Sequence, residues 1–340
     1  MMKMCARTMC ARTMCARTKR IVRWFAPAAI AAAFIASSAL AQAATAQRPK
    51  PAPTAAAQEP DLAYGAYQRG LYLTAFAEAK KRVDEKGDPK AMTLLAELYA
   101  DGLGIPRDDN QAGEWYRRAA ERGDREAMFA LAVFRMTGRA GARNPQDAAK
   151  LFEAAAKLGH ALAAYNLGLL YLEGQMFPQD FAHAAQLFRA AADAGNPDAQ
   201  YALATLYMEG KGVPKDAREA ARLLGRAALA QHVDAEVEYA IALFNGTGVP
   251  KNEAAAGPYL RRAAQFGNPV AQSRLAFMYA TGRGLPVNAA QAAKWHMIAK
   301  AGGTNDPFLE DFVRRMKPDD RTSAEEAAKP WLALIAKARP

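Results

Sequence analysis

Six glycines, Gly102, Gly138, Gly174, Gly210, Gly246 and Gly282, stand 36 residues apart along the chain. Spacing that regular means one structural unit used six times. The unit reads most clearly from Gly195 to Ala230. Gly195 suits the left-handed residue that ends a helix, Asn196 the cap of the next helix, and Pro197 its first position, where a missing N–H costs nothing. Ala199, Leu203, Leu206 and Tyr207 then recur at helical spacing. Gly210-Lys-Gly212-Val-Pro214 breaks that helix, and Ala220, Leu223, Leu224, Ala227 and Ala228 form a second apolar stripe. Two amphipathic helices this short cannot bury their faces alone, so each unit needs copies stacked on either side. The expected fold is all-α, a solenoid of helix-turn-helix units.

Further columns keep the same register. Alanine opens each first helix at Ala91, Ala127, Ala163, Ala199, Ala235 and Ala271. Two alanine columns mark the second helix, one from Ala112 to Ala292 and one from Ala119 to Ala299. Small residues at fixed places let backbones approach closely, while Leu95, Leu131, Leu167, Leu203, Tyr239 and Leu275 fill the space between them.

The N-terminus has a different character. Met4-Cys-Ala-Arg-Thr is repeated from Met9 and again from Met14, a short tandem duplication to which no fold is assigned. Arg17, Lys19, Arg20 and Arg23 precede an apolar run from Trp24 to Leu40, followed by small residues at Ala39-Leu-Ala41 and Ala44-Thr-Ala46. That order reads as a secretory signal peptide over residues 1–46, with residues 1–13 a misplaced start if translation begins at Met14. The run is alanine-rich, contains Pro27 and is too short for a membrane anchor. Removing it takes away seven basic side chains and lowers the formal charge from +11 to +4, which does not argue for nucleic acid. Cys5, Cys10 and Cys15 leave with it, so a mature chain has no disulfide and no thiolate chemistry. Residues 47–60 read as a Pro/Ala-rich linker, 61–87 as an N-terminal capping half-repeat, 88–303 as the six repeats and 304–340 as C-terminal capping helices. Within that cap, Pro307 to Met316 reads as one helix. Thr322 and Glu325 have capping-box spacing before a last helix interrupted by Pro330, with Trp331 and Leu332 covering the open face.

The first unit, with Leu95, Ala96, Tyr99, Gly102, Gly104, Trp115, Tyr116, Ala119, Ala120 and Gly123, resembles the SEL-one-like repeat, a relative of the tetratricopeptide repeat. The likeness recurs in register from Ala91 to Gly303. It implies a right-handed α-solenoid that serves as a protein-binding adaptor, secreted members resembling envelope regulators or host-contact proteins. Departures are Arg135 and Leu243 where Tyr is expected, Gln231 where Gly is expected, and His296 where an aromatic is usual. Cysteine-rich relatives associated with β-lactam binding carry disulfides that this chain lacks.

Few residues offer chemistry. His160 and His232 occupy a helix-capping slot and read as capping or solvent-facing, His296 as a packed imidazole, and His183 as an outward helical residue. No two histidines share a helix turn, so no metal site and no cofactor is expected. Ser273 and Ser323 have no neighbouring base. The Gly-x-Gly loops follow helices and read as turns, not phosphate cradles; the second unit moves its second glycine to Gly141, and the third replaces it with Met176-Phe-Pro178. Asp101, Glu173 and Glu209 form the one acidic column, and stacked repeats place such a pair near the separation an inverting glycosidase uses.

The informative stripe lies opposite the core side of the first helices, two residues before, two after and five after the Leu203 column. It comprises Phe129, Val133, Met136, Tyr165, Leu169, Leu172, Tyr201, Met208, Ile241, Phe244 and Phe277, with Thr205 and Val237 in the same columns. First helices line the concave side of a solenoid, so an apolar stripe there reads as a groove for a protein or peptide; the competing reading is packing between repeats. The expectation is a periplasmic or secreted, non-catalytic interaction scaffold, with no membrane span in the mature chain. The alternative is a protein that binds or hydrolyses cell wall, with peptidoglycan or a β-lactam as its weaker-supported ligand.

Overall fold

The computed structural model describes residues 61–338. The expected signal peptide and linker, residues 1–46 and 47–60, lie outside the described residues. Sixteen helices and no strands occur among the described residues. Two lead the stack, α1 (Leu62–Gln68) and α2 (Tyr72–Lys86). The six pairs are α3 (Pro89–Asp101) with α4 (Asp109–Glu121), α5 (Arg125–Thr137) with α6 (Pro145–Lys157), and α7 (Ala161–Glu173) with α8 (Phe181–Asp193). They continue as α9 (Pro197–Glu209) with α10 (Ala217–Leu229), α11 (Val233–Asn245) with α12 (Glu253–Gln265), and α13 (Pro269–Thr281) with α14 (Ala289–Ala301). α15 (Pro307–Arg314) and α16 (Pro318–Ala338) close the chain. The helices follow one another as an all-α, right-handed solenoid with the 36-residue period of the glycines.

Local chemistry explains the regularity. Each first helix is preceded by Asp, Asn or His whose side chain accepts a backbone N–H of the first turn, as Asn196 does from Ala199 at 2.7 Å. Each ends on a left-handed glycine, Gly210 at φ 72° being typical. The second glycine of the loop serves a different need. A Cβ on Gly248 would lie 2.0 Å from the Ala217 carbonyl oxygen, because the loop closes against the first turn of the preceding second helix. Gly212 meets Phe181, and Gly284 meets Glu253, in the same way. In the second repeat Ala140 holds this position at φ 57°, and Gly141, the residue the sequence points to, lies one place further on.

The alanine columns are buried throughout, as are Leu95, Leu131, Leu167, Leu203 and Leu275; Tyr239 is half-buried. Each helix packs chiefly on its neighbours in the chain, and α16 on α14, so the core runs as a line of linked clusters. Trp331 packs on Trp295 with ring centroids 5.4 Å apart, and Leu332 and Ile335 join the same cluster.

One expectation at the C-terminus is corrected. α16 begins at Pro318, so Thr322 lies inside the helix and donates to the Pro318 carbonyl at 3.1 Å instead of capping. Pro330 does not interrupt it. Ala324 and Ala328 before the proline, and Trp331, Leu332 and Ile335 after it, pack along one face, and this outweighs the single backbone bond that proline removes.

Candidate functional site

All eleven residues of the apolar stripe are half-buried. Their three columns differ in what they touch. The column two residues before the leucine line belongs to the joints between repeats. Thr93 donates to Asp124, the cap of the next repeat, at 3.1 Å, and Phe129 and Tyr201 stack on the capping rings of His160 and His232 at 4.5 and 4.8 Å. Where this column is small it is fully covered, Val237 being 3% exposed, and where it is aromatic the ring reaches past the joint. Thr205 is also buried, its hydroxyl donating to the Tyr201 carbonyl at 3.1 Å. Thr205 and Val237 therefore leave the stripe: one folds back on its own helix and the other fills a joint.

Val133, Leu169 and Ile241, two after the leucine line, and Met136, Leu172 and Met208, five after it, rest their inner faces on the core and keep part of their surface in water. At the C-terminal end the aromatic rings take one another as partners. Phe277 lies between Phe244 and Phe308, with centroids at 6.4 and 5.6 Å, and the Arg283 guanidinium covers Phe244 at 4.3 Å.

The histidines are structural. His160 and His232 accept at Nδ1 from the N–H of Ala163 and Ala235, while Nε2 faces Glu126 at 2.9 Å and Asp198 at 3.2 Å across the joint. They cap as expected, but neither imidazole faces solvent, because each is sandwiched between its helix and the ring of the preceding repeat. His296 is a packed imidazole, and burial holds its pKa below the usual histidine value. His183 sits edge-on to Tyr171 at 4.4 Å. In the acidic column Glu209 pairs with Lys211 at 2.7 Å, and burial raises the Glu173 carboxyl above its ordinary value. Among the described residues no three metal-ligating side chains converge, and no helix is long and apolar enough to cross a membrane.

Two features of this wall were not singled out in the sequence. Glu97 stands 36 residues before Val133, in the same column, and carries the line into the first repeat as a carboxylate. Burial, with Asp101, Glu126 and Asp124 nearby, pushes it up to about 7. The 36-residue register alone would have found it. The second is a polar slot inside the joints. Gln200 and Gln272 donate to the carbonyls of Ala192 and Ala264, both at 3.1 Å. Glu236 occupies that slot between them, 0% exposed, and pairs with Arg262 Nε at 2.6 Å while the same guanidinium donates to the Ala228 carbonyl at 3.0 Å.

The stripe is a row of half-buried apolar side chains, backed by the caps and rings of the joints. Comparison with known proteins bears on the repeat fold. A crystal structure of a Sel1 repeat protein from Oxalobacter formigenes is 27% identical, with TM-score 0.59 over 71% of this chain and 97% of the other. A protective antigen present in uropathogenic Escherichia coli strains displaying an SLR fold is 24% identical, with TM-score 0.56 over 82% of this chain and 70% of the other, a likeness of fold. A search of curated proteins finds no match. The family model described as Sel1 repeat matches residues 89–124, 125–160, 161–196, 197–232, 233–268 and 269–303, the units that the glycine period marks out. With six such matches filling most of its length, the chain belongs to the Sel1 repeat family, whose repeats are protein-binding modules.

Proposed function

We propose that this protein is an exported, non-catalytic scaffold, periplasmic or secreted, that receives a protein or peptide on the concave face formed by its first helices. One observation carries the reading: Val133, Leu169, Leu172, Met208 and Ile241 keep apolar surface in water along four successive repeats that are otherwise well packed. A stack of fixed helices offers many weak contacts without an ordering cost on its own side, which suits an adaptor that holds a partner. The basic residues, apolar run and small residues ahead of residue 47 support export.

A photo-crosslinking residue placed at Leu172, in the producing cell, should trap one discrete protein. The same residue at Arg222, exposed on a second helix, should trap none. Equal trapping at both sites, or none at Leu172, would overturn the concave-face reading. N-terminal sequencing of the purified protein tests export separately, since a chain that retains residues 1–46 has not been processed.

A further inference from the structure

This inference rests on the protein-binding reading above and concerns which polypeptide the face accepts. Charge is divided between the two layers of the solenoid. The six first helices, α3, α5, α7, α9, α11 and α13, carry nine acidic and four basic side chains, a net −5. The six second helices carry eight acidic and twelve basic, a net +4. Acid is spread almost equally over the two layers, and what sets the first helices apart is their shortage of basic side chains, which leaves the layer that bears the apolar stripe net negative in a chain whose formal charge is +11.

Part of that acid has structural employment. Glu236 belongs to a buried ion pair, and Glu126 and Asp198 face the capping histidines. Glu209 pairs with Lys211, and Asp234 accepts from the Asn268 side chain at 3.3 Å. Glu97, Asp101, Glu173 and Glu238 make no ion pair among the described residues. Burial raises Glu97, Glu173 and Glu238 above the ordinary carboxylate value, Asp101 adding to the effect at Glu97 and Asp234 at Glu238. Arg274 offsets part of the effect at Glu238; Glu97 and Glu173, drawn partly out of water with no cation against them, are poor neighbours for a neutral or acidic ligand and good ones for a basic ligand.

We propose that the occupant of the first-helix face is a polypeptide segment in which every third side chain is apolar and basic side chains stand between. Its apolar residues lie on Val133, Leu169, Leu172, Met208 and Ile241, and a lysine or arginine reaches Glu97. Packed helices lie about 10 Å apart, and a segment in the polyproline II conformation has three residues per turn and advances about 3.1 Å per residue, so every third side chain lies on one side of it and meets one repeat. The aliphatic stems of lysine and arginine add to the contact on the apolar wall while their heads reach the carboxylates. Apolar area supplies the affinity and the acid supplies the choice of partner.

The test uses the purified protein and three fluorescent peptides of about 15 residues, each with leucine at every third position and with lysine, glutamine or glutamate between. Anisotropy titration should place the lysine peptide tightest and the glutamate peptide at least about tenfold weaker, the difference shrinking as salt rises. The double variant Glu97→Gln, Glu238→Gln, with helicity checked by circular dichroism, should bring the lysine peptide to the level of the glutamine peptide and leave the latter unchanged. The Leu172→Ala, Met208→Ala variant should weaken all three. If the three peptides bind alike and all weaken in that apolar variant, the basic-partner inference is overturned and the concave reading stands. If the charge variant leaves the lysine preference intact, the inference also fails. Binding indifferent to Leu172 and Met208, or no binding of any peptide, overturns both.

Discussion

Glu97 and Glu236 are two carboxylates that the solenoid shields from water in different ways. Glu97 is half-buried with acidic neighbours, and its carboxyl lies at about 7 against an ordinary 4.5. Between those pH values the folded chain holds a proton that the unfolded chain has released, so stability falls as pH rises from 4.5 to 7 and stays low above. Glu97→Gln should abolish that slope. The variant is expected to match the wild type near pH 4 and to exceed it at pH 8 by up to about 3 kcal/mol in urea denaturation. An unchanged slope in the variant would place the shielding elsewhere. Glu236 has an answering cation in Arg262, yet burial still raises its carboxyl. Its place in a Gln-Glu-Gln series at 36-residue spacing is visible in the sequence; that the slot is the inside of a joint is not, because only the packed helices bring Arg262 to it.

At the scale of the helix, the residue that closes each second helix decides how cleanly the chain enters the next unit. Gly123, Gly159, Gly195, Gly267 and Gly303 take this place at φ between 79° and 92°, and Gln231 holds it at φ 62°. A left-handed non-glycine residue is strained, while glycine loses more freedom on folding. The difference makes Gln231→Gly stabilising by about 0.5–1 kcal/mol, read as a raised melting temperature. A lowered melting temperature would mean that the glutamine side chain contributes contacts of its own. The sequence flags Gln231 because the column is otherwise glycine. It misleads at Ala140, since the adjacent Gly141 attracts the assignment while the loop keeps its shape and puts alanine in the strained place. It misleads again at α16, where Thr322, Glu325 and Pro330 carry local signals for a boundary and the burial of Ala324 and Ala328 with the packing of Trp331 on α14 prevails. Local rules hold wherever no tertiary surface competes.

Over the whole molecule, stability is a chain of neighbour interactions, and damage should stay where it is made. Leu275 is fully buried between α13 and its partner helix, and Leu275→Ala removes about 3 kcal/mol of packing. Hydrogen exchange in the variant is expected to rise across α12, α13 and α14 while α3 and α4 keep their wild-type protection. Uniform acceleration from end to end would show that the repeats unfold as one unit. The stack itself was legible because its period is a property of the sequence. The stripe was legible as a pattern but not as a surface. Periodicity says that Phe129, Val133 and Met136 share one side of a helix, and only the structure separates Phe129, seated on His160, from Val133 and Met136 on the open wall.

The loop glycine that rests against the preceding unit has a genetic consequence. Gly212, Gly248 and Gly284 give the same fit at successive junctions, so any of these units can follow any other. A misaligned exchange between two copies of the coding sequence, displaced by 36 codons, would insert or excise one whole unit and leave only junctions of a kind already present. Length is then the property of this molecule that can change with the least damage, and the length of partner it can hold changes with it. Copies that include Ala140 or Met176 lack the glycine, and at those two places such an exchange would leave a mark.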